Sequence, residues 1–205
     1  MSPEFTHRFI RGSNAAAPVL LLLHGTGGNE DSLLGLGAEL LPSAHLLSPR
    51  GKVLEHGVPR FFRRLDEGVF DLEDLRLRTT ELAAFIEYSR TTYDLPNNPI
   101  YAVGYSNGAN IAANLLLTNP SALQGAVLFR AMLPDRPSHP ISHNHTPVLI
   151  LSGEQDSMIP PQSAEELAQI LIQSGADVAQ VWQATGHSLI QIDIDRAKAW
   201  LSSTL

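Results

Sequence analysis

The stretch Ile100-Tyr101-Ala102-Val103-Gly104-Tyr105-Ser106-Asn107-Gly108-Ala109 sets G-x-S-x-G directly after an apolar run and directly before a helical pattern. A serine raised on a tight strand-to-helix turn needs nearly bare backbone two residues to either side, and Gly104 and Gly108 meet that need. Ala109, Ala112 and Ala113 keep the helix that follows slim enough to pack close on a sheet. Its N-terminus directs free N–H groups and partial positive charge toward an anion forming at Ser106. The pentapeptide alone is equally an ordinary turn, so the weight falls on what surrounds it.

Working outward, apolar runs at Val19–Leu23, 45–47, 100–103, 126–129 and 148–151, with 178–183 as a sixth, read as buried strands, and 6–11 as an antiparallel edge strand. Helical stretches at 31–41, 72–93, 107–117, 162–174 and 192–205 alternate with them. Asn119-Pro120 closes the third helix and Ser174-Gly175 the fourth. This rhythm predicts an α/β fold with a mostly parallel sheet covered by helices on both faces, formed by residues 1–205 as a single domain. In such a sheet, ligands bind beyond the carboxyl ends of the strands.

Three more segments fall at such ends. Leu21-Leu22-Leu23-His24-Gly25-Thr26-Gly27-Gly28 runs a strand into a glycine-rich loop, and the backbone N–H of Thr26, with that of Asn107, is the candidate oxyanion donor. A plain turn is the alternative reading of this loop; a Walker-type phosphate loop lacks its G-K-[ST]. His24 reads as structural, with a direct catalytic role as its alternative. Leu149-Ile150-Leu151-Ser152-Gly153-Glu154-Gln155-Asp156 delivers an acid, Asp156, with Glu154 and Asp177 as rivals. Ala184-Thr185-Gly186-His187-Ser188 supplies a general base, His187, and completes the chain order Ser, Asp, His.

Composition narrows the chemistry. The 205 residues contain no Cys, which removes thiolate nucleophiles and thiolate metal ligands. With 14 Lys+Arg against 21 Asp+Glu the formal net charge is −7, which argues against a nucleic-acid partner. The beginning, Met1-Ser2-Pro3-Glu4-Phe5, has neither the basic nor the apolar region of a leader, and no apolar run is long enough to span a bilayer, so a cytoplasmic location without membrane partners is expected. His139, His143 and His145 form the other histidine cluster. Proline breaks it and no acid lies inside it, so it reads as a solvated loop near the active edge rather than a zinc site. Phe61, Phe62, Met132, Leu133 and Ile159 are candidates for an acyl pocket, with core packing as the equal alternative. Arg63 and Arg64 either meet an anionic substrate or pair with Asp66, Glu67 and Asp71.

Leu23-His24-Gly25-Thr26-Gly27-Gly28-Asn29-Glu30, Gly104-Tyr105-Ser106-Asn107-Gly108-Ala109-Asn110 and Gly186-His187 together resemble the phospholipase/carboxylesterase family of α/β-hydrolases. Ser48-Pro49-Arg50-Gly51 and Pro59-Arg60-Phe61-Phe62-Arg63-Arg64-Leu65 are similar to its bacterial carboxylesterase branch, whose members are small, metal-free and commonly dimeric. The resemblance implies an α/β-hydrolase fold without a cap domain, no cofactor, a possible homodimer, and hydrolysis of a small-molecule ester. It puts the triad on Ser106, Asp156 and His187 and the oxyanion donors on Thr26 and Asn107. The elbow Gly-Tyr-Ser-Asn-Gly-Ala departs from the G-F-S-Q-G-G of acyl-protein thioesterase relatives, which weakens protein deacylation as an activity and leaves hydrolysis intact. With little chain left for a lid, an open, shallow site suited to short-acyl esters is expected; thioesterase, lysophospholipase and non-catalytic binding are the alternatives.

Overall fold

The computed structural model describes residues 5–205; the reading of residues 1–4 as free of a leader lies outside them. In chain order the elements are β1 (His7–Ile10), β2 (Val19–Leu23), α1 (Leu34–Leu40), β3 (His45–Pro49), β4 (Val53–Glu55), β5 (Val58–Arg60), β6 (Arg64–Asp66) and β7 (Val69–Phe70). There follow α2 (Leu72–Thr92), β8 (Ile100–Tyr105), α3 (Asn107–Thr118), β9 (Gly125–Phe129), β10 (Pro147–Gly153), α4 (Pro161–Gln173), β11 (Asp177–Gln183) and α5 (Gln191–Thr204). One seven-stranded sheet runs β1-β3-β2-β8-β9-β10-β11. Only β1 is antiparallel, set against β3 from His7↔Pro49 to Ile10↔Leu46; the other pairings are parallel.

The strands are apolar throughout because both faces are covered, and side-chain alternation sorts them into two cores. Val19, Leu21, Leu23, Ala102, Leu128 and Ile150 face α2, α3 and α4. Leu20, Leu22, Val103, Val127, Phe129 and Leu151 face α1 and α5. Helix α2 buries Leu75, Thr79, Leu82, Phe85, Ile86 and Ser89, a stripe at helical spacing, and starts at Asp71, whose carboxylate accepts the Asp74 N–H at 3.1 Å. Helix α3 is buried from Asn107 to Leu117. The polar residues of a helix enclosed on all sides find partners only within the protein, and these asparagines do so in part, Asn107 Nδ2 and Asn114 Oδ1 having none among the described residues. Asn107 Oδ1 accepts the Phe61 N–H at 2.7 Å, Asn110 Oδ1 the Met132 N–H at 3.0 Å, and Asn114 Nδ2 donates to Thr79 Oγ1 at 2.8 Å.

One expectation needs adjustment. The first helix starts at Leu34 rather than 31, because residues 31–33 form turns held by Asn29 and Ser32. The interval between β3 and α2, for which the sequence suggested no element, folds into the hairpins β4-β5 and β6-β7. Among the described residues no helix is long and apolar enough to cross a membrane.

Candidate active site

Strand order reverses between β2 and β8: the chain steps from β2 outward to β3, then returns to lay β8 on the other side of β2. The loops after these two strands therefore diverge and leave a crevice at their carboxyl ends. Ser106 stands there with φ 53° and ψ −114°, a left-handed conformation unusual for a residue with a side chain, between the end of β8 and the first residue of α3. Its N–H donates to Phe129 O at 2.9 Å, which fixes the turn to the neighbouring strand. A Cβ on Gly108 would come within 2.0 Å of Leu23 O, and one on Gly104 within 2.7 Å of the Ala109 backbone. Both glycines are required by close backbone approach.

The structure brings Ser106, His187 and Asp156 into one hydrogen-bonded chain. His187 Nε2 lies 2.9 Å from Ser106 Oγ and His187 Nδ1 lies 2.8 Å from Asp156 Oδ2. The Asp156 side chain is 1% exposed and that of His187 19%. Asp156 is itself aimed by the N–H groups of Met158 (2.8 Å) and Ile159 (3.2 Å), which donate to its other oxygen. The rivals stand elsewhere: Glu154 is exposed, and Asp177 Oδ1 lies 3.2 Å from His145 Nδ1. With Asp156 accepting from Nδ1–H, Nε2 of a neutral His187 is free to accept the serine proton.

Thr26 lies in the exposed turn after β2. Gly27 N–H donates to Pro59 O at 2.9 Å and Gly28 N–H to Gly25 O at 3.0 Å, whereas the Thr26 N–H has no acceptor among the described residues. Asn107, as the first residue of α3, has no preceding helical turn to donate into. Beside Thr26 opens a cleft of about 380 Å³ lined by Gly28, Leu33, Tyr105, Ser188 and Leu189, among others. His24 is 1% exposed and joins loops: its Nε2 accepts the Gly51 N–H at 3.0 Å, and its Nδ1 lies 2.7 Å from Gly25 O. Burial lowers its pKa below the ordinary imidazole value.

The acyl-pocket candidates do not line this cleft. Phe61 and Phe62 are 1% and 0% exposed and belong to the main core, the first ring against His24 and the second edge-on to Phe70. Met132 and Ile159 pack with Ala164, Phe70 and Trp182, and Leu133 half-buried against the main core. Apolar side chains at strand ends gain more from core burial than from lining an open cleft. Arg63 pairs with Asp71 at 3.0 Å, as one reading had it, but its second partner is Asp74, and Arg64 meets Glu55 at 2.8 Å rather than Asp66 or Glu67.

The histidine cluster disperses. His143 is buried beside Thr146, His145 meets Asp177, and His139 is exposed. Its loop also lies away from the active edge. The N–H groups of His143 and His145 donate to Ser174 O and Gly175 O, where β11 begins, because the loop must enter β10 from its amino end. Among the described residues no group of three His, Cys, Asp or Glu side chains is arranged to hold a metal ion.

Three residues that the sequence reading passed over belong to the site: Tyr105, Arg130 and Asp193. The Tyr105 hydroxyl donates to His187 O at 3.1 Å, and its ring centroid lies 5.5 Å from the imidazole. Arg130 and Asp193 are both fully buried and paired. An arginine immediately after the apolar run 126–129 was the available signal, since a charge at that position must find a partner inside the protein.

Relatives share this architecture. A hydrolase candidate of Bacillus subtilis (strain 168), MhqD, is 47% identical over 187 residues, covering 91% of this chain and 94% of its own. The Bacillus cereus carboxylesterase structure superposes with a TM-score of 0.96 at 44% identity, covering 100% of this chain and 96% of that one. A carboxylesterase from Mesorhizobium loti gives 0.88 at 28% identity, over 97% and 94% of the two chains. The phospholipase/carboxylesterase family model matches residues 6–205, and the chain accordingly belongs to that family of α/β-hydrolases.

Proposed function

We propose that the protein is a serine carboxylesterase that hydrolyses small or short-acyl carboxylic esters through an acyl-enzyme on Ser106. The observation that carries this reading is the chain Ser106–His187–Asp156, at 2.9 and 2.8 Å, beginning at a serine on a left-handed turn at a helix N-terminus. His187 takes the Ser106 proton as Oγ attacks the ester carbonyl, and Asp156 stabilises the imidazolium that results. The carbonyl oxygen, now an anion, accepts from the N–H groups of Thr26 and Asn107, each donor contributing about 3 kcal/mol in comparable sites. Protonated His187 then returns its proton to the departing alcohol, and water repeats the sequence to release the acid.

The modest cleft beside Thr26, about 380 Å³ with Leu33, Leu189 and the Tyr105 ring among its walls, supports short acyl groups. A cytoplasmic, metal-free enzyme, assembled as a homodimer, completes the reading. The test is turnover of p-nitrophenyl esters from acetate to palmitate by the wild type and by Ser106→Ala. We expect the variant to fold, to resist fluorophosphonate labelling and to lose about 10⁴-fold or more in kcat. Turnover by Ser106→Ala near the wild-type level defeats the assignment.

A further inference from the structure

We propose that Arg130, neutralised by Asp193, is the positioning residue of His187, and that it acts by fixing the backbone on both sides of the imidazole. Arg130 follows β9 directly, is fully buried, and adopts a left-handed conformation with φ 55°. Its guanidinium makes five hydrogen bonds. Nε donates to Gly186 O at 3.0 Å and Nη2 to Ser188 O at 3.0 Å, the two carbonyls that flank His187. Nη1 donates to Leu151 O at 3.1 Å and to Asp193 Oδ1 at 3.3 Å, and Nη2 to Asp193 Oδ2 at 2.5 Å. The Tyr105 hydroxyl holds the carbonyl between them, His187 O, at 3.1 Å.

Three consecutive carbonyls are thus held by two side chains that adjoin strand ends of the same crevice. This matters because residues 184–190 lie between β11 and α5 with no ladder or helix of their own. Before the imidazole, Gln155 N–H donates to Thr185 O at 3.0 Å and Thr185 N–H to Gln183 O at 2.7 Å. Asp193, in the first turn of α5, also accepts the Ile190 N–H at 3.0 Å, so the ion pair joins the end of β9, the His187 segment and α5. A fully buried ion pair is seldom more stabilising than apolar residues of the same volume, so stability alone does not account for it. The planar fork does: Lys presents a single ammonium and cannot span the carbonyls of Gly186 and Ser188, two residues apart, while facing a carboxylate.

The proposal rests on the acyl-transfer reading, and its test separates the two. Arg130→Lys keeps the charge opposite Asp193, and the double variant Arg130→Met/Asp193→Asn leaves no charge buried while retaining an acceptor for the Ile190 N–H. Each is assayed on p-nitrophenyl acetate beside wild type and Ser106→Ala, with folding followed by circular dichroism and active molecules counted by fluorophosphonate titration. We expect kcat per folded molecule to fall about 10- to 100-fold in both, as for a misplaced catalytic group, with KM within about threefold. Wild-type kcat in a folded Arg130 variant, beside an inactive Ser106→Ala, overturns the positioning role alone. Failure of both variants to fold makes the pair structural and overturns it equally. Persistent turnover by Ser106→Ala removes the acyl-transfer reading and this role with it.

Discussion

Ser106 and His187 meet at 2.9 Å but are placed by opposite means. Ser106 is placed by its own backbone: a strand, a left-handed turn and a helix, all within 100–118, with glycines where neighbouring backbone comes close. His187 is held by side chains from elsewhere, Arg130 and Tyr105, which reach its carbonyls across the crevice. The difference teaches that one partner of a hydrogen-bonded pair can be preorganised by local sequence while the other depends on tertiary structure already being in place. Precision at the first is lost by adding an atom, and at the second by removing a hydrogen bond.

The strongest way to break this contrast is Gly108→Ala. A methyl group 2.0 Å from Leu23 O cannot be accommodated without moving α3 away from β2, and the two candidate oxyanion donors would separate with it. We expect a loss of about 1–3 kcal/mol in stability by denaturant titration, as for overpacking, together with a fall in kcat of about 100-fold or more. Retained activity and stability would show that the backbone approach is not required.

Tyr105→Phe sharpens the other half. It keeps the ring beside His187 and removes only the donor to His187 O, so a drop in kcat of roughly three- to tenfold with little change in KM is expected, in keeping with one neutral hydrogen bond. A full loss of activity would mean that the Tyr105 hydroxyl, not the Arg130 fork, carries the loop.

The smallest effect concerns loops held by a neutral imidazole. Burial lowers the pKa of His24 and of His143 below 6.5, so the unfolded chain takes up protons at these positions before the folded one does. Stability from these groups is intact above pH 6.5 and declines as pH falls below it. The carboxylates of Glu30 and Glu55, held below 4.5 chiefly by Arg50 and Arg64, keep their stabilising contribution throughout this range and lose it only as pH falls below 4.5. Thermal unfolding between pH 8 and pH 5 should show Tm falling by a few degrees, roughly, with a shallower slope in His24→Gln. A Tm independent of pH across that range would contradict the assignment of His24 as a neutral bridge.

The same contrast explains what could be read from the chain. The parallel strands were legible because each is an apolar run flanked by turn residues, and the elbow because its glycines sit at a fixed spacing from the serine. Hairpins β4-β5 and β6-β7 were not: their strands are two or three residues long and include Glu55, Arg60, Arg64 and Asp66, so no alternation develops. Phe61 and Phe62 look the same in a list whether they line a pocket or fill a core, and only the placement of α2 and α3 over the sheet decides it. Arg130 was missed for the same reason, since four hydrogen-bond partners scattered from Leu151 to Asp193 form no pattern along the chain.

The register of the central strands has a kinetic consequence. Val19 opposes Ile100, so β2 and β8, which present Thr26 and Asn107, pair only after a loop of about eighty residues has closed, and that closure costs entropy before any contact repays it. The crevice therefore cannot form early from local structure. In a chain folding from the denatured state we expect helices first, the β2–β8 pairing later, and the assembled site last, when the His187 segment docks onto strand ends already in place.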